Sequence, residues 1–260
     1  MKAESAWGIR QVSRGTSKLL VQASDANASG GGEAVKVAPI DVATPSALFV
    51  EEMVPVTPSQ VPPEQKALRL QQLDVTEVKG CTRCRLHEGR TQTVFGEGDA
   101  NAAIFFIGEG PGENEDLTGR PFVGKAGQLL DKMIAGMGLS RQQVYIANIV
   151  KCRPPGNRTP ALDEVETCTP YLLQQLEIVQ PKVIVTLGRP AAQYMLNTKL
   201  PMGQLRGRWQ SWQGIKLMPT FHPSYVLRTY TEEVRAAVWS DLKMVLAELG
   251  IKMPAKANGS

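Results

Sequence analysis

Short apolar runs alternate with segments of helical periodicity over most of the chain. Apolar residues recur every three or four positions in several segments, which predicts amphipathic helices such as those at 126–137 and 234–249. Four other apolar runs have the length of buried strands and lie at residues 102–107, 144–150, 182–187 and 217–221. Strands that alternate with helices are typical of a parallel sheet covered by helices on both faces. The pattern therefore predicts an α/β fold.

Two further helices carry specific start and stop signals. The segment 63–80 has an apolar stripe and ends at Gly80, a residue suited to a helix C-terminus. A later helix carries Cys168, and we expect Thr159 to cap it with Pro160 at its first position. Pro170 lies inside that helix and is expected to kink or restart it.

A polar or glycine residue lies at the end of each predicted strand. These residues are Gly108, Asn148, Gly188 and His222. The carboxyl ends of parallel strands lie side by side, and ligands bind at that edge of open α/β sheets. The first strand leads into the loop GEGPGENED, whose glycines let backbone approach a ligand closely. The sequence therefore predicts a binding site built around this loop.

Two glycine patterns suggest nucleotide binding but do not fit it. Pro111 and Glu113 break the dinucleotide-binding fingerprint in the first loop. The segment GRPFVGKA resembles a P-loop, but Ala126 replaces the hydroxyl residue that would bind Mg²⁺, and no strand directly precedes it. Nucleoside triphosphate binding is therefore not favoured.

Three side chains at this edge each have a structural and a functional interpretation. Phe122 could fill the core or stack on a planar ligand. Asn148, inside an apolar strand, could tie down a loop or read the donor–acceptor edge of a base. His222 could bond backbone or stabilise negative charge on a leaving group. His87 is interpreted as a solvated loop residue.

The chain contains four cysteines, Cys81, Cys84, Cys152 and Cys168. The close pair Cys81 and Cys84 makes four unrelated buried thiols improbable, and a cytosolic chain rarely forms disulfides. Four thiolates suit either zinc or an iron–sulfur cluster, and their spacing does not separate the two. A structural role is favoured, because the site would join three distant segments.

Residues 1–62 differ in composition from the rest. They are rich in Ala, Ser, Gly, Val and Pro, and we expect a mostly disordered N-terminal extension that could bind an unknown partner, followed by a folded domain at 63–260. The extension carries 5 Lys/Arg and 6 Asp/Glu, whereas the remainder carries 24 and 19, so the positive charge lies on the folded part. No membrane-length apolar run or signal-peptide core is present, which predicts a cytoplasmic protein without membrane contact.

Several motifs in this order resemble the family-4 uracil-DNA glycosylases, which carry an iron–sulfur cluster. The motifs are GEGPGENED, GRPFVGKAG, IANIVKCRPP, FHPSYVLR and the four-cysteine arrangement, and together they cover roughly residues 65–250. The resemblance implies a three-layer α/β/α sandwich around a four-stranded parallel sheet. It implies hydrolysis of the N-glycosidic bond of deoxyuridine in single- or double-stranded DNA, by a nucleoid-associated protein that we expect to be a monomer.

The resemblance also implies roles for individual residues. The backbone of Glu109 and Gly110 would contact a uracil oxygen and place the water, and Glu115 would lie beside C5, where a thymine methyl would clash. The remaining roles are stacking by Phe122, reading of the polar edge by Asn148, bonding of O2 by His222, and [4Fe-4S] ligation by Cys81, Cys84, Cys152 and Cys168. The best-known superfamily members have an aspartate at the position of Gly110, so the group that positions the water is left open.

Further residues suit contact with DNA. Tyr225, Val226 or Leu227 could fill the gap left by a flipped base. Phosphate contacts are expected from Lys151, Arg153, Arg158, Arg189 and Arg228. Two rival hypotheses remain at this point: a non-catalytic iron–sulfur protein that binds nucleic acid, and a zinc-stabilised nucleotide-processing enzyme.

Overall fold

The predicted strands form the middle of a single mixed sheet. The computed structural model of the protein describes residues 61–252. Its strands are β1 (Glu97–Gly98), β2 (Ile104–Gly108), β3 (Tyr145–Asn148), β4 (Val183–Leu187), β5 (Gln210–Trp212) and β6 (Ile215–Thr220). Their order in the sheet is β1-β3-β2-β4-β6-β5. The four predicted strands, β2, β3, β4 and β6, pair in parallel. The predicted fold class is confirmed.

The sheet has six strands rather than the predicted four. The additional strands β1 and β5 pair antiparallel with β3 and β6 at the two edges. Neither contains a buried apolar run: β1 is two residues long, and β5 lies in a polar, half-buried ribbon. Edge strands of this kind carry little of the hydrophobic pattern on which strand prediction depends.

Helices cover both faces of the sheet. Alternate side chains of β2 face opposite ways, Ile104 and Phe106 into one core and Phe105 and Ile107 into the other. The helices are α1 (Pro63–Leu73), α2 (Leu86–Gly89), α3 (Glu113–Thr118), α4 (Lys125–Gly136), α5 (Leu162–Val179), α6 (Arg189–Met195), α7 (Met202–Leu205), α8 (Pro223–Thr229) and α9 (Glu232–Glu248). Helices α1, α5 and α6 contribute to the Phe105 core, and α4, α8 and α9 to the Ile104 core.

Three local predictions differ from the structure. The segment predicted as one helix to Gly80 becomes a π-helical turn at Asp74–Val78. Helix α5 continues through Pro170 without restarting. Its N-cap is Ala161, not Thr159, because the Glu164 carboxylate reaches back and accepts the Ala161 N–H at 2.7 Å.

Two expectations concern the ends and the environment of the chain. The predicted N-terminal extension lies outside the described residues, apart from its last two positions. Within residues 61–252, no helix is both long enough and apolar enough to cross a membrane.

Candidate active site

A cavity of about 480 Å³ opens at the carboxyl ends of the central strands. Its walls come from the loop after β2, the end of β3, the start of α4 and the residue that precedes α8. All six substrate-site residues predicted from the sequence line it, namely Glu109, Gly110, Glu115, Phe122, Asn148 and His222. The fold therefore brings them together, as the position of their motifs at strand ends predicts.

Asn148 provides an unpaired polar group at the cavity wall. The residue ends β3 opposite Gly108, is 1% exposed, and its Oδ1 has no hydrogen-bond partner among the described residues. Its backbone carbonyl is fixed by the buried Lys151 Nζ at 2.9 Å. A buried acceptor without a donor costs about 1–3 kcal/mol. The arrangement therefore suits a ligand that supplies an N–H.

Gly108 allows the amide and the aromatic ring to meet. A Cβ at this position would lie 2.3 Å from Asn148 Oδ1 and 2.5 Å from Phe122 Cζ. Both groups occupy space that a side chain would otherwise fill. The Phe122 ring also lies near the His222 ring, with centroids 5.6 Å apart and planes inclined by 33°. Phe122, Asn148 and His222 thus border one slot.

Phe122 adopts a strained backbone conformation. Its φ of 53° lies in the left-handed region, which costs a bulky residue about 1–3 kcal/mol and persists only where the surroundings hold it. The Glu115 carboxylate accepts the N–H groups of Val123 and Gly124, both at 2.8 Å, and that of Gly112 at 3.1 Å. Glu115 therefore fixes the loop that carries the ring as well as lining the cavity.

His222 is held as a neutral imidazole. Its Nδ1 accepts the Ser224 N–H at 3.1 Å, at the start of α8. Burial and then the positive charge of Arg228 lower the pKa of His222 from 6.5 to about 4, against the opposing effect of Glu115. Because Nδ1 is an acceptor, the proton of the neutral ring is on Nε2. His222 can therefore donate one hydrogen bond from Nε2.

Glu109 and Gly110 form the cavity wall directly after β2. The Glu109 carbonyl accepts the Val150 N–H at 3.2 Å, which fixes the backbone here. Burial raises the pKa of the Glu109 carboxyl, while a hydrogen bond from Thr159 and the charge of Arg189 act in the opposite direction. A Cβ on Gly110 would lie 2.8 Å from Val150 Cγ2. An aspartate at Gly110 would therefore clash.

The cavity also has polar and cationic residues at its rim that the sequence interpretation did not assign to it. They include Asn114, Lys125, Asn157 and Ser224. Lys125 belongs to the segment that resembles a P-loop and is the first residue of α4. Its position at a helix start is the feature of the sequence that indicates a place at the cavity. Arg158 and Arg228, predicted as phosphate contacts, also line the cavity. The cavity lining thus combines the cations Lys125, Arg158 and Arg228 with three acidic residues, Glu109, Glu113 and Glu115.

Two sequence predictions about DNA contact need correction. Lys151 is 1% exposed and donates to Asn148 O and to Gln175 Oε1 at 2.6 Å, so it cannot reach a phosphate. Val226 is 3% exposed and packs in the core, which removes it as a wedge. Tyr225 and Leu227 are exposed at 38% and 39% and remain as candidates.

The four cysteines line a second, small cavity. Cys81 and Cys84 follow the π-helical turn, Cys152 follows β3, and Cys168 lies in α5. All four are free thiols, and Cys152 and Cys168 are buried. Within the described part of the chain, no three Cys, His, Asp or Glu side chains are arranged around a single metal-ion position.

Donors and positive charges surround these sulfurs. Arg90 donates to Cys152 Sγ at 3.0 Å, the Lys151 N–H donates to Cys168 Sγ at 3.2 Å, and Tyr171 donates to Cys81 Sγ at 3.2 Å. Burial raises the pKa of the Cys168 thiol to about 12, and Lys151 opposes this rise. Thiolate ligands need such donors, because hydrogen bonds to sulfur stabilise the deprotonated form. The donor set therefore fits a thiolate-bound inorganic group.

Glu164 connects the two cavities. Its buried carboxylate accepts Arg85 Nε at 2.7 Å and the guanidinium of Arg158 at 2.7 and 2.8 Å. Arg85 is adjacent to Cys84, whereas Arg158 lines the larger cavity. The Arg158 hydrogen bond is the main reason why the pKa of Glu164 falls to about 2. The Glu164 carboxylate thus links the loop that carries Cys81 and Cys84, the cysteine loop, to the wall of the larger cavity.

Comparison with known proteins shows the family of this chain. The model of the uracil DNA glycosylase superfamily matches residues 95–243. The chain is 49% identical over 168 residues to a type-4 uracil-DNA glycosylase of Thermotoga maritima, covering 64% of this chain and 88% of that protein. It is 44% identical to the type-4 enzyme of Saccharolobus solfataricus, over 68% of this chain and 85% of the relative.

A third relative is matched over nearly all of its own length. The type-4 uracil-DNA glycosylase of Archaeoglobus fulgidus is 43% identical, over 69% of this chain and 94% of its own length. The match to the family model, at residues 95–243, includes the cavity residues and all the parallel strands. The chain therefore belongs to the uracil DNA glycosylase superfamily and, within it, to the type-4 group.

Proposed function

We propose that this chain excises uracil from DNA in base excision repair, by hydrolysis of the N-glycosidic bond. The observation that carries the proposal is the single slot bordered by the Phe122 ring, the unpaired amide oxygen of Asn148 and the neutral imidazole of His222. Its type-4 relatives support the same activity. A base in a duplex is out of reach of such a slot, so the nucleotide must be flipped into it.

Asn148 and Phe122 recognise the base. The Asn148 Oδ1 accepts the N3–H of uracil, which gives this buried acceptor the partner that it lacks. The Phe122 ring stacks on the pyrimidine face. Glu115 lies beside C5, and because it also fixes the loop through Val123 and Gly124, it has little freedom to move away from a thymine methyl.

His222 stabilises the departing base. When the C1′–N1 bond breaks, its electron pair leaves with uracil and negative charge develops on O2. The Nε2–H of His222 donates to this oxygen. A donor aligned with developing charge typically lowers the barrier by about 3–4 kcal/mol. Because His222 remains neutral near pH 7, it stabilises the anion by a hydrogen bond without transferring its proton.

Water completes the hydrolysis. The backbone of Glu109 and Gly110 contacts a uracil oxygen and places the water that attacks C1′. The oxygen bonds to C1′, one proton is released, and an abasic sugar remains. Residue 110 is a glycine, so this chain positions the water without an acid at that residue.

Cys81, Cys84, Cys152 and Cys168 would hold a [4Fe-4S] cluster. The cluster would supply a covalent connection between the loop after the π-helical turn, the loop after β3 and helix α5. Zinc would need four sulfurs at about 2.3 Å from one centre, so metal and sulfide analysis of the purified protein separates the two groups. Bound iron and sulfide in a brown protein would support this assignment, whereas a colourless protein with zinc would contradict it.

DNA contacts come from the cavity rim and α8. The exposed Tyr225 or Leu227 fills the gap in the duplex after the base has been flipped. Arg228 and Lys125 at the rim contact the flanking phosphates. Replacement of either exposed wedge candidate by Ala is expected to weaken activity on duplex DNA more than on single strands, as only a duplex has a gap to fill.

A uracil-containing oligonucleotide followed by alkaline strand cleavage tests the activity. We expect strand cleavage with the wild type, and loss of most activity in Asn148→Ala and His222→Ala with the fold and bound iron retained. Phe122→Ala should weaken uracil recognition. Binding without base release by the wild type would contradict the proposal and favour a non-catalytic nucleic-acid binder. Wild-type rates in both site variants would contradict the residue assignments alone.

A further inference from the structure

The loop that carries Phe122 is held from two sides. Glu115 accepts the N–H groups that follow Phe122, as described above. On the other side, Arg141 Nη1 donates to Phe122 O at 3.1 Å and Arg141 Nη2 donates to Pro121 O. Arg141 lies in the 3₁₀ turn Arg141–Gln143 that precedes β3, outside the cavity. Its guanidinium therefore binds both carbonyls at the strained residue.

Close packing leaves the Phe122 carbonyl in one place. A Cβ at Gly127 would lie 1.8 Å from Phe122 O, so the first turn of α4 approaches this carbonyl as closely as a glycine permits. A left-handed φ at a bulky residue persists only where the surroundings determine it from several directions. The packing against Gly127 and the two hydrogen bonds from Arg141 supply this constraint on the carbonyl side.

The Arg141 side chain is itself fixed by carboxylates. It is 11% exposed and pairs with Asp131 Oδ1 of α4 at 2.8 Å and with Glu97 of β1. Glu97 also binds Arg120 at 2.8 and 3.1 Å. The planar guanidinium matches two carbonyls and two carboxylates at once, which a lysine ammonium cannot do from one position. Arg141 is therefore a rigid support rather than a mobile surface charge.

We propose that Arg141 is a positioning residue for uracil recognition: it binds the Pro121 and Phe122 carbonyls and so keeps the Phe122 ring in the stacking position. The proposal rests on the proposed function, because it assigns Arg141 a task only if Phe122 stacks on the base. Arg141 touches neither the base nor the reacting sugar, and it acts through Phe122.

The test compares Arg141→Gln with Arg120→Gln. Both variants remove one guanidinium from Glu97, which keeps one arginine in each. Arg141→Gln also removes the donors to the loop carbonyls and the ion pair with Asp131. We expect Arg141→Gln to raise KM for a uracil oligonucleotide about tenfold with kcat nearly unchanged, and to weaken inhibition by free uracil similarly. Arg120→Gln should change both constants little. A general loss of folded enzyme would instead lower kcat at constant KM.

A double-mutant cycle separates positioning from general support. In a Phe122→Ala background, Arg141→Gln should have almost no further effect on KM, since the ring that it positions is gone. Equal effects of Arg141→Gln in both backgrounds, or wild-type KM in the single variant, would overturn the proposal.

Hydrogen exchange gives a readout that does not depend on catalysis. The amides of residues 122–124 should exchange faster in Arg141→Gln than in the wild type or in Arg120→Gln. Unchanged exchange there would overturn the proposal even if activity fell. If the wild type released no uracil, the proposed function would fail, and the exchange data would still decide whether Arg141 holds this loop.

Discussion

Gly108 determines how closely the groups that border the proposed uracil slot can approach each other. Because residue 108 has no side chain, the Asn148 amide and the Phe122 ring can occupy the space that a Cβ would otherwise fill. The sequence identifies this glycine only as the end of a strand. Its contact with two distant side chains depends on the register of β2 against β3 and on the loop conformation of Phe122.

Replacement of Gly108 by alanine tests this constraint. The added methyl must displace the amide or the ring, and a misplacement of about 1 Å at such a site can reduce the rate by about 10²-fold. We expect this loss in kcat/KM for uracil release, with a folded protein. Gly203→Ala is the matched control, because no atom lies within 4 Å of a Cβ there. Similar rates in the two variants would contradict the prediction.

His222 links the site to the pH dependence of stability. The pKa of His222 is about 4 in the folded protein, against an ordinary value of 6.5 that applies to the unfolded chain. Between these two pH values the unfolded chain therefore binds more protons than the folded protein. The free energy of unfolding should therefore rise as the pH increases through this window, and it should fall again as the solution is acidified. Urea unfolding of the wild type and of His222→Gln from about pH 4 to 6.5 measures the effect. The variant should show the shallower dependence, and parallel curves would argue against a neutral, buried imidazole.

The site residues differ in how far the sequence predicts them. Asn148 and His222 are polar residues at the ends of apolar strands, so local pattern and fold class place them at the cavity. Lys151 shows the limit of the same reasoning. A lysine after a strand suggests a surface phosphate contact, but its burial depends on Gln175 in α5 and on the Asn148 carbonyl, and no local pattern encodes these partners.

At the scale of elements, helix α5 joins the two functional regions of the molecule. Its first turn carries Glu164, bound to Arg85 and Arg158, and one turn later it carries Cys168. The cysteine loop and the cavity wall therefore share one helix. The apolar pattern predicts that such a helix exists, but it does not predict the buried Glu164, which resembles an ordinary first-turn acid.

Substitution of Glu164 by glutamine should weaken this connection. The change removes a buried carboxylate that accepts bonds from two arginines, and we expect a loss of about 1–3 kcal/mol in the free energy of unfolding. The iron content and uracil release should also fall, because both regions lose a fixed partner. The exposed neighbour Asp163, which also pairs with Arg85, serves as control, and Asp163→Asn should change stability little. Equal effects of both substitutions would disprove the special role of Glu164.

Over the whole molecule, the net positive charge and the family motifs both lie after residue 62. The family match covers residues 95–243, and the first 62 residues carry slightly more acidic than basic side chains. The parallel centre of the sheet follows from the four apolar runs. The two antiparallel edge strands were not predicted, since they depend on pairing with β3 and β6 rather than on their own sequence.

Removal of residues 1–60 should leave uracil release intact. All cavity residues, the four cysteines and the exposed residues of α8 lie in the remaining chain. We expect kcat/KM and the iron content of the shortened protein to stay within about threefold of the full chain, the range of ordinary context effects on a distant site. A larger loss of either would show that the N-terminal extension contributes to the site or to cluster retention.

The packing of Gly110 against Val150 also restricts how this enzyme could change in evolution. A single substitution to aspartate, which would install the acid of the best-known superfamily members, places its first side-chain carbon 2.8 Å from a valine methyl. The Val150 side chain or the loop after β2 would have to move for such a residue to fit. Introduction of the acid would therefore have a steric cost in addition to the charge that it adds to the cavity.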